Sequence, residues 1–185
     1  MYIYNSNKLF FVIILTEFTP KDKMLKKKSN RRIIREKVLQ VLYAHSYNRD
    51  GIEVTAGELS EEITDASERE FFENLVRKTI QYTGSIDDEI EAKSENWEID
   101  RMARIDRILL RMGICEFKFF PEIPKKVTMN EIIEIAKEYS TAASGKFING
   151  FLDKIYEELE KEGKINKRGR GLIDGSLTKP AKTND

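Results

Sequence analysis

Between Ser29 and Gly163 the apolar residues recur three and four positions apart, and no stretch alternates with the period of two that a half-buried strand needs. Ile34, Val38, Val41, Leu42 and His45 describe one face of a first helix, capped by Ser29 or Asn30 and running to about Tyr47. Asn48 to Gly51 breaks it, and Thr55 to Ile63 reads as a short helix. Ser67 and Glu70 form a Ser-x-x-Glu capping box ahead of Phe71, Phe72, Leu75, Val76 and Ile80, which predicts a helix to Thr83. Gly84 and Ser85 punctuate the chain before another short helical stretch, Ile86 to Lys93.

Ile99, Met102, Ile105, Ile108, Leu109, Met112 and Phe117 line a long helix that must stop near Pro121. Thr128 and Glu131 make a second capping box before Ile132, Ile135, Ala136 and Tyr139. Phe147, Ile148, Phe151, Leu152, Ile155, Tyr156 and Leu159 line a last helix that ends at Gly163, while Gly150 within it is expected to let a neighbouring helix approach closely. The pattern predicts an all-α protein of about six or seven helices, packed as one bundle or as two sub-bundles sharing a core.

The ends read differently. Leu9 to Leu15 is an apolar run of seven residues, too short for the roughly 20 that cross a membrane, and no small-residue cleavage site follows it. Met24 then opens a segment that reads as a natural protein start, so residues 1–23 are set aside as a possible upstream extension of the reading frame. Beyond Gly163 the composition turns to Lys, Arg, Gly, Ser, Thr and Pro, which cannot offset the entropy of ordering the chain. The expected organisation is an extension and basic arm over 1–28, a helical domain over 29–163 and a flexible basic tail over 164–185.

Charge changes this picture. The 185 residues carry 32 Lys and Arg against 32 Asp and Glu, yet Met24 to Lys37 holds seven cations against Glu36 alone. Glu61 to Leu75 holds six acids against Arg69, and Lys164 to Asp185 six cations against two acids. Such segregation suits a molecule that presents cations to one partner and other faces elsewhere.

Candidate catalytic chemistry is thin. One cysteine, Cys115, excludes an internal disulfide and fits a reducing cytoplasm, and one histidine, His45, removes two-histidine metal sites and most triads. No phosphate-binding glycine loop, Cys-x-x-Cys or Gly-x-Ser-x-Gly motif occurs. Both His45 and Cys115 lie on apolar helix faces, where core packing is the expected role. Neither an enzyme nor a cofactor or metal site is expected.

Lys26, Lys27, Lys28, Arg31, Arg32 and Arg35 come just before and inside the first turn of a helix, where unpaired N–H groups and the positive dipole end also attract anions. Cations normally stabilise the opposite end of a helix, so their placement here points to a phosphate-bearing partner. Two readings follow from these residues, an RNA-binding protein and a helical DNA-binding transcription regulator.

The residues also carry a resemblance. Ile123-Pro-Lys-Lys-Val-Thr-Met-Asn-Glu-Ile-Ile-Glu-Ile-Ala-Lys-Glu-Tyr-Ser, then Gly-Lys-Phe-Ile-Asn-Gly-Phe-Leu-Asp-Lys-Ile over Gly145 to Ile155, stand beside Asp106-Arg-Ile-Leu-Leu-Arg, Arg32-x-x-Arg35-Glu36 and Leu39-Gln-Val-Leu-Tyr43. With these the chain resembles the NusB family of bacterial transcription antitermination factors across about Arg31 to Ile155. It departs from the family pattern at Ile34, where Ala is usual, and at Cys115, where Tyr is usual.

The resemblance implies a non-enzymatic, cytoplasmic protein of two helical sub-bundles. It would pair with NusE, a small-subunit ribosomal protein, and bind boxA RNA in ribosomal RNA leaders, acting with other Nus factors and RNA polymerase. Carried over by position, RNA meets Lys27, Arg31, Arg32 and Arg35, then Tyr43 and the cluster Lys146, Phe147 and Asn149. Phe147 would stack on an unpaired base, although its helical spacing suits core packing equally. The NusE surface would include Trp97, Asp106 and Arg107.

Overall fold

The structure, a computed structural model, describes residues 28–48, 52–93, 102–141 and 143–172. The expectations placed on Leu9 to Leu15, Lys26, Lys27, Trp97 and Ile99 lie outside these residues. Seven α-helices are described: α1 (Asn30–Tyr47), α2 (Ile52–Glu61), α3 (Ala66–Gln81), α4 (Thr83–Lys93), α5 (Arg104–Phe119), α6 (Lys125–Tyr139) and α7 (Ser144–Lys161). A 3-10 turn, Gly169–Leu172, follows, and no strand occurs among the described residues. The all-α expectation is met.

Helices α1, α2 and α3 pack on one another, as do α5, α6 and α7, and α5 also packs against α1, α3 and α4. That central role follows from its sequence: Ile108, Leu109, Leu110, Met112, Ile114, Cys115 and Phe117 are all buried, so α5 offers apolar side chains to several neighbours at once. Leu39, Phe72, Leu75, Ile132, Ile148 and Leu152 close on it from the other helices. Each such side chain contributes roughly 1.5–3 kcal/mol on leaving water.

Helix starts show where local signals were overruled. Ser29 caps α1 as expected, its hydroxyl accepting from the Arg32 N–H at 3.1 Å. α3 is capped instead by Asp65, whose Oδ1 accepts from the Glu68 N–H at 2.9 Å, so the Ser67 and Glu70 box does not form. An ionised carboxylate two residues earlier complements the helix dipole better than a hydroxyl. α6 likewise begins at Lys125 behind Pro124, one turn before Thr128, which is fully buried and turned to another use.

Two further expectations are corrected. A Cβ at Gly150 would meet nothing within 4 Å; the close helix approach is at Gly113, where a Cβ would stand 3.0 Å from both Leu152 methyl carbons. The tail is not free from its start. Gly163 (φ 67°) and Lys164 close α7 with a Schellman pair, Gly163 N–H to the Glu160 carbonyl at 3.0 Å and Lys164 N–H to that of Leu159 at 2.8 Å. The chain then lies back on the body as far as Gly171.

Candidate nucleic-acid interface

Of the candidate cations that are described, Arg35 is buried, while Lys28, just before α1, and Arg31 and Arg32 within it are half-exposed. Arg35, on the face α1 turns inward, is 1% exposed and donates through Nε and Nη2 to the two carboxylate oxygens of Glu116 at 2.7 and 2.8 Å. Thr128 donates to Glu116 Oε2 at 2.8 Å, so one acid on α5 ties down α1 and α6 together. Burial works against the Arg35 charge, and Glu116 more than offsets it, holding the guanidinium above its ordinary value. Arg35 therefore supports the site from within, and the expectation that it meets phosphate is corrected: its fork is already filled.

The remaining three face α3 and α6. Arg31 lies 4.3 Å over the Phe71 ring, 3.0 Å from Glu68, and donates to the Ser67 hydroxyl at 3.3 Å. Arg32 forks onto Glu131 at 2.8 and 3.2 Å, with Glu134 at 3.8 Å. Those hydrogen bonds hold its charge above the ordinary range against burial. Lys28 bridges Glu36 and Glu138; burial opposes its charge and the two carboxylates outweigh that. Burial pushes the Glu36 carboxyl up even so, and raises Tyr139, whose hydroxyl donates to Glu36 at 3.2 Å.

The acids were the part missed from the sequence. Glu131, Glu134 and Glu138 recur at helical spacing on α6, which is the signal that a cationic helix packs there.

α6 carries the second expected cluster as well. A Cβ at Gly145 would meet Lys137 at 3.2 Å and Ile133 at 3.7 Å, so the first turn of α7 leans on the same end of α6 that Lys28 reaches through Glu138. Lys146 and Asn149 are exposed there. Phe147 is half-buried, its ring centroid 5.9 Å from that of Phe151.

Tyr43 lies roughly 16 Å from Arg32 along the α1 axis at 1.5 Å per residue. It belongs to a different group, with its hydroxyl 3.1 Å from that of Tyr47, over whose ring Arg104 sits at 4.0 Å. Arg104 also donates to the Ser46 carbonyl, joining the end of α1 to the start of α5.

Of the expected partner residues, Asp106 is buried and accepts from the Ser144 hydroxyl at 2.8 Å, which corrects its reading as an exposed contact. It pins the start of α7 to α5. Arg107 is half-buried beside it. Cys115 is fully buried, and burial pushes its thiol up to about 12, so it is a core residue and no nucleophile. His45 is half-buried in the last turn of α1. Among the described residues no group of His, Cys, Asp and Glu could hold a metal, and no helix is long and apolar enough to cross a membrane.

The model of the NusB family matches residues 32–157, from the second arginine of α1 to the body of α7. The chain belongs to the NusB family. It is 42% identical to the transcription antitermination protein NusB of Chloroherpeton thalassium over 147 residues, covering 78% of this chain and 70% of that protein. Among solved structures, T. maritima NusB is 38% identical with a TM-score of 0.66, over 71% of this chain and 93% of that one. A crystal structure of the antitermination factors NusB and NusE in complex with dsRNA is 27% identical with a TM-score of 0.63, over 70% and 97%. The NusB match ends before the strap that follows α7, so that segment lies beyond the matched region.

Proposed function

We propose that this NusB-family chain is a non-enzymatic RNA-binding antitermination factor of the cytoplasm. With NusE it binds boxA RNA of ribosomal RNA leaders and helps RNA polymerase, together with other Nus factors, to resist Rho-dependent termination. The observation that carries the reading is the shared platform of α6. It holds half-exposed Arg32 and Lys28 on one side and exposed Lys146 and Asn149, with Phe147, on the other. The solved relative that holds NusE and dsRNA supports the same partners.

In this reading Lys26, Lys27, Lys28, Arg31 and Arg32 attract the phosphate chain, and Lys146, Phe147 and Asn149 meet the bases, with Tyr43 farther along. Trp97 and Arg107 serve the NusE side. Backbone contacts position the strand and carry no sequence, so preference comes from the few base contacts and from NusE.

The test is a titration of labelled boxA-like RNA, scrambled RNA and duplex DNA at one salt concentration, with and without NusE. NusE should tighten boxA-like RNA about tenfold or more, some 1.4 kcal/mol, and scrambled RNA much less. By linkage the RNA must raise the affinity for NusE by the same factor. Duplex DNA binding more tightly than either RNA favours the DNA-regulator reading instead.

A further inference from the structure

The segment after α7 is built to dock. Lys167 reaches the C-terminal end of α5, where Nζ donates to the carbonyls of Glu116 at 3.2 Å and Phe120 at 3.0 Å. A lysine Nζ there satisfies carbonyls the helix leaves open. The next residue, Arg168, donates its backbone N–H to the Pro121 carbonyl at 2.9 Å. Gly169 turns the chain with φ 53°, and Gly171 is buried so close that a Cβ would lie 1.9 Å from the Pro121 oxygen. Only glycine fits at that point.

What this anchoring holds out is a pair of arginines. Arg168 and Arg170 are exposed, and among the described residues neither has an ion-pair partner. In α1, by contrast, Arg31, Arg32 and Arg35 are matched by Glu68, Glu131 and Glu116. A chain of contacts links the two groups. The Arg31 guanidinium lies over Phe71, the Phe71 centroid is 5.5 Å from that of Phe120, and the Phe120 carbonyl holds Lys167.

We propose that the docked strap from Lys164 to Leu172 is a second phosphate-binding element, on which Arg168 and Arg170 take the backbone of the same single RNA strand that α1 meets. It rests on the RNA-binding reading above and adds an element beyond residues 32–157, which the model of the family matches. Its two charges, without an ion-pair partner among the described residues, give the backbone attraction that the internally paired α1 cations supply only after exchanging partners.

The experiment uses the full chain and two labelled single-stranded RNAs, boxA-like and scrambled, titrated over a range of salt. Arg168→Gln with Arg170→Gln should weaken both RNAs equally, roughly tenfold or more, and take about 1.4 off the slope of log affinity against log salt, at about 0.7 per phosphate contact. Gly171→Ala keeps both arginines but forces the strap off Pro121, and should lose affinity similarly while the helical body melts as before.

If the wild-type chain binds RNA and the arginine pair leaves slope and affinity unchanged, the strap proposal alone is overturned. If the arginine pair matters but Gly171→Ala does not, the arginines act as untethered cations and the docked placement is overturned. A wild-type chain that binds neither RNA removes the RNA reading and the strap with it.

Discussion

Arg35 and Glu116 stand 81 residues apart in sequence and form a doubly hydrogen-bonded ion pair at 2.7 and 2.8 Å that is almost wholly excluded from solvent. Removing one member strands the other charge in the core. Arg35→Ala should therefore cost about 3–5 kcal/mol of stability, whereas replacing both by apolar residues of similar volume should cost far less. Denaturant melts of the single and double variants measure this. A single variant as stable as the parent would mean that Glu116 finds another partner or takes up a proton.

That pair also shows what was legible in the sequence and what was not. The apolar spacing of Ile34, Val38, Val41, Leu42 and His45 marks the inner face of α1, and the structure buries the first four and half-buries His45. Arg31, Arg32 and Arg35 look alike as a cationic first turn, because local spacing cannot tell which of them faces an acid brought in by another helix. Thr128 looked like a cap for the same reason: its hydroxyl has a local use in the sequence and a tertiary one, on Glu116, in the fold. The strap was unreadable because its docking rests on backbone carbonyls at Glu116, Phe120 and Pro121, which every residue possesses.

In the proposed interface Arg31 and Arg32 reach phosphate only by letting go of their carboxylates. Glu68→Gln with Glu131→Gln should leave Arg31 and Arg32 more available and tighten RNA binding by about 0.2–1 kcal/mol per pair, the range for exposed ion pairs. Stability should fall by no more than a similar amount. Filter binding of a boxA-like RNA reads the effect, and weaker binding by the double variant would remove Arg31 and Arg32 from the interface.

Strap docking should depend on pH through Lys167. Burial pulls its ammonium down to about 8, against the opposing pull of Glu116 and Glu122, from an ordinary value near 10.5. Between those two values the docked chain holds fewer protons than the undocked one, so docking strengthens as pH rises through that window. It weakens as pH falls through 8 and changes no further below it. Amide resonances of Gly169 and Gly171, followed from pH 7 to 10, should shift toward the docked position on the alkaline side. Lys167→Met should abolish the dependence; its persistence in that variant would assign it to another group.

Gly150 and Gly113 should respond in opposite directions to the same substitution. Both lie inside helices, where replacing Gly by Ala gains about 0.5–1 kcal/mol if the methyl meets no neighbour. At Gly150 nothing stands within 4 Å, so Gly150→Ala should raise the melting temperature. At Gly113 the methyl enters a packed seam 3.0 Å from Leu152, itself fully buried, and overpacking should outweigh the helical gain. Gly150 also adjoins exposed Asn149 and lies one helical turn from Lys146, on the face proposed to meet RNA. A backbone left bare there lets a ligand approach closely. Gly150→Ala should therefore stabilise the protein and at the same time weaken its binding to boxA-like RNA, a combination that a purely structural glycine cannot produce. Thermal melts and RNA titration of the one variant separate the cases, since higher stability with unchanged affinity would place this turn of α7 outside the interface.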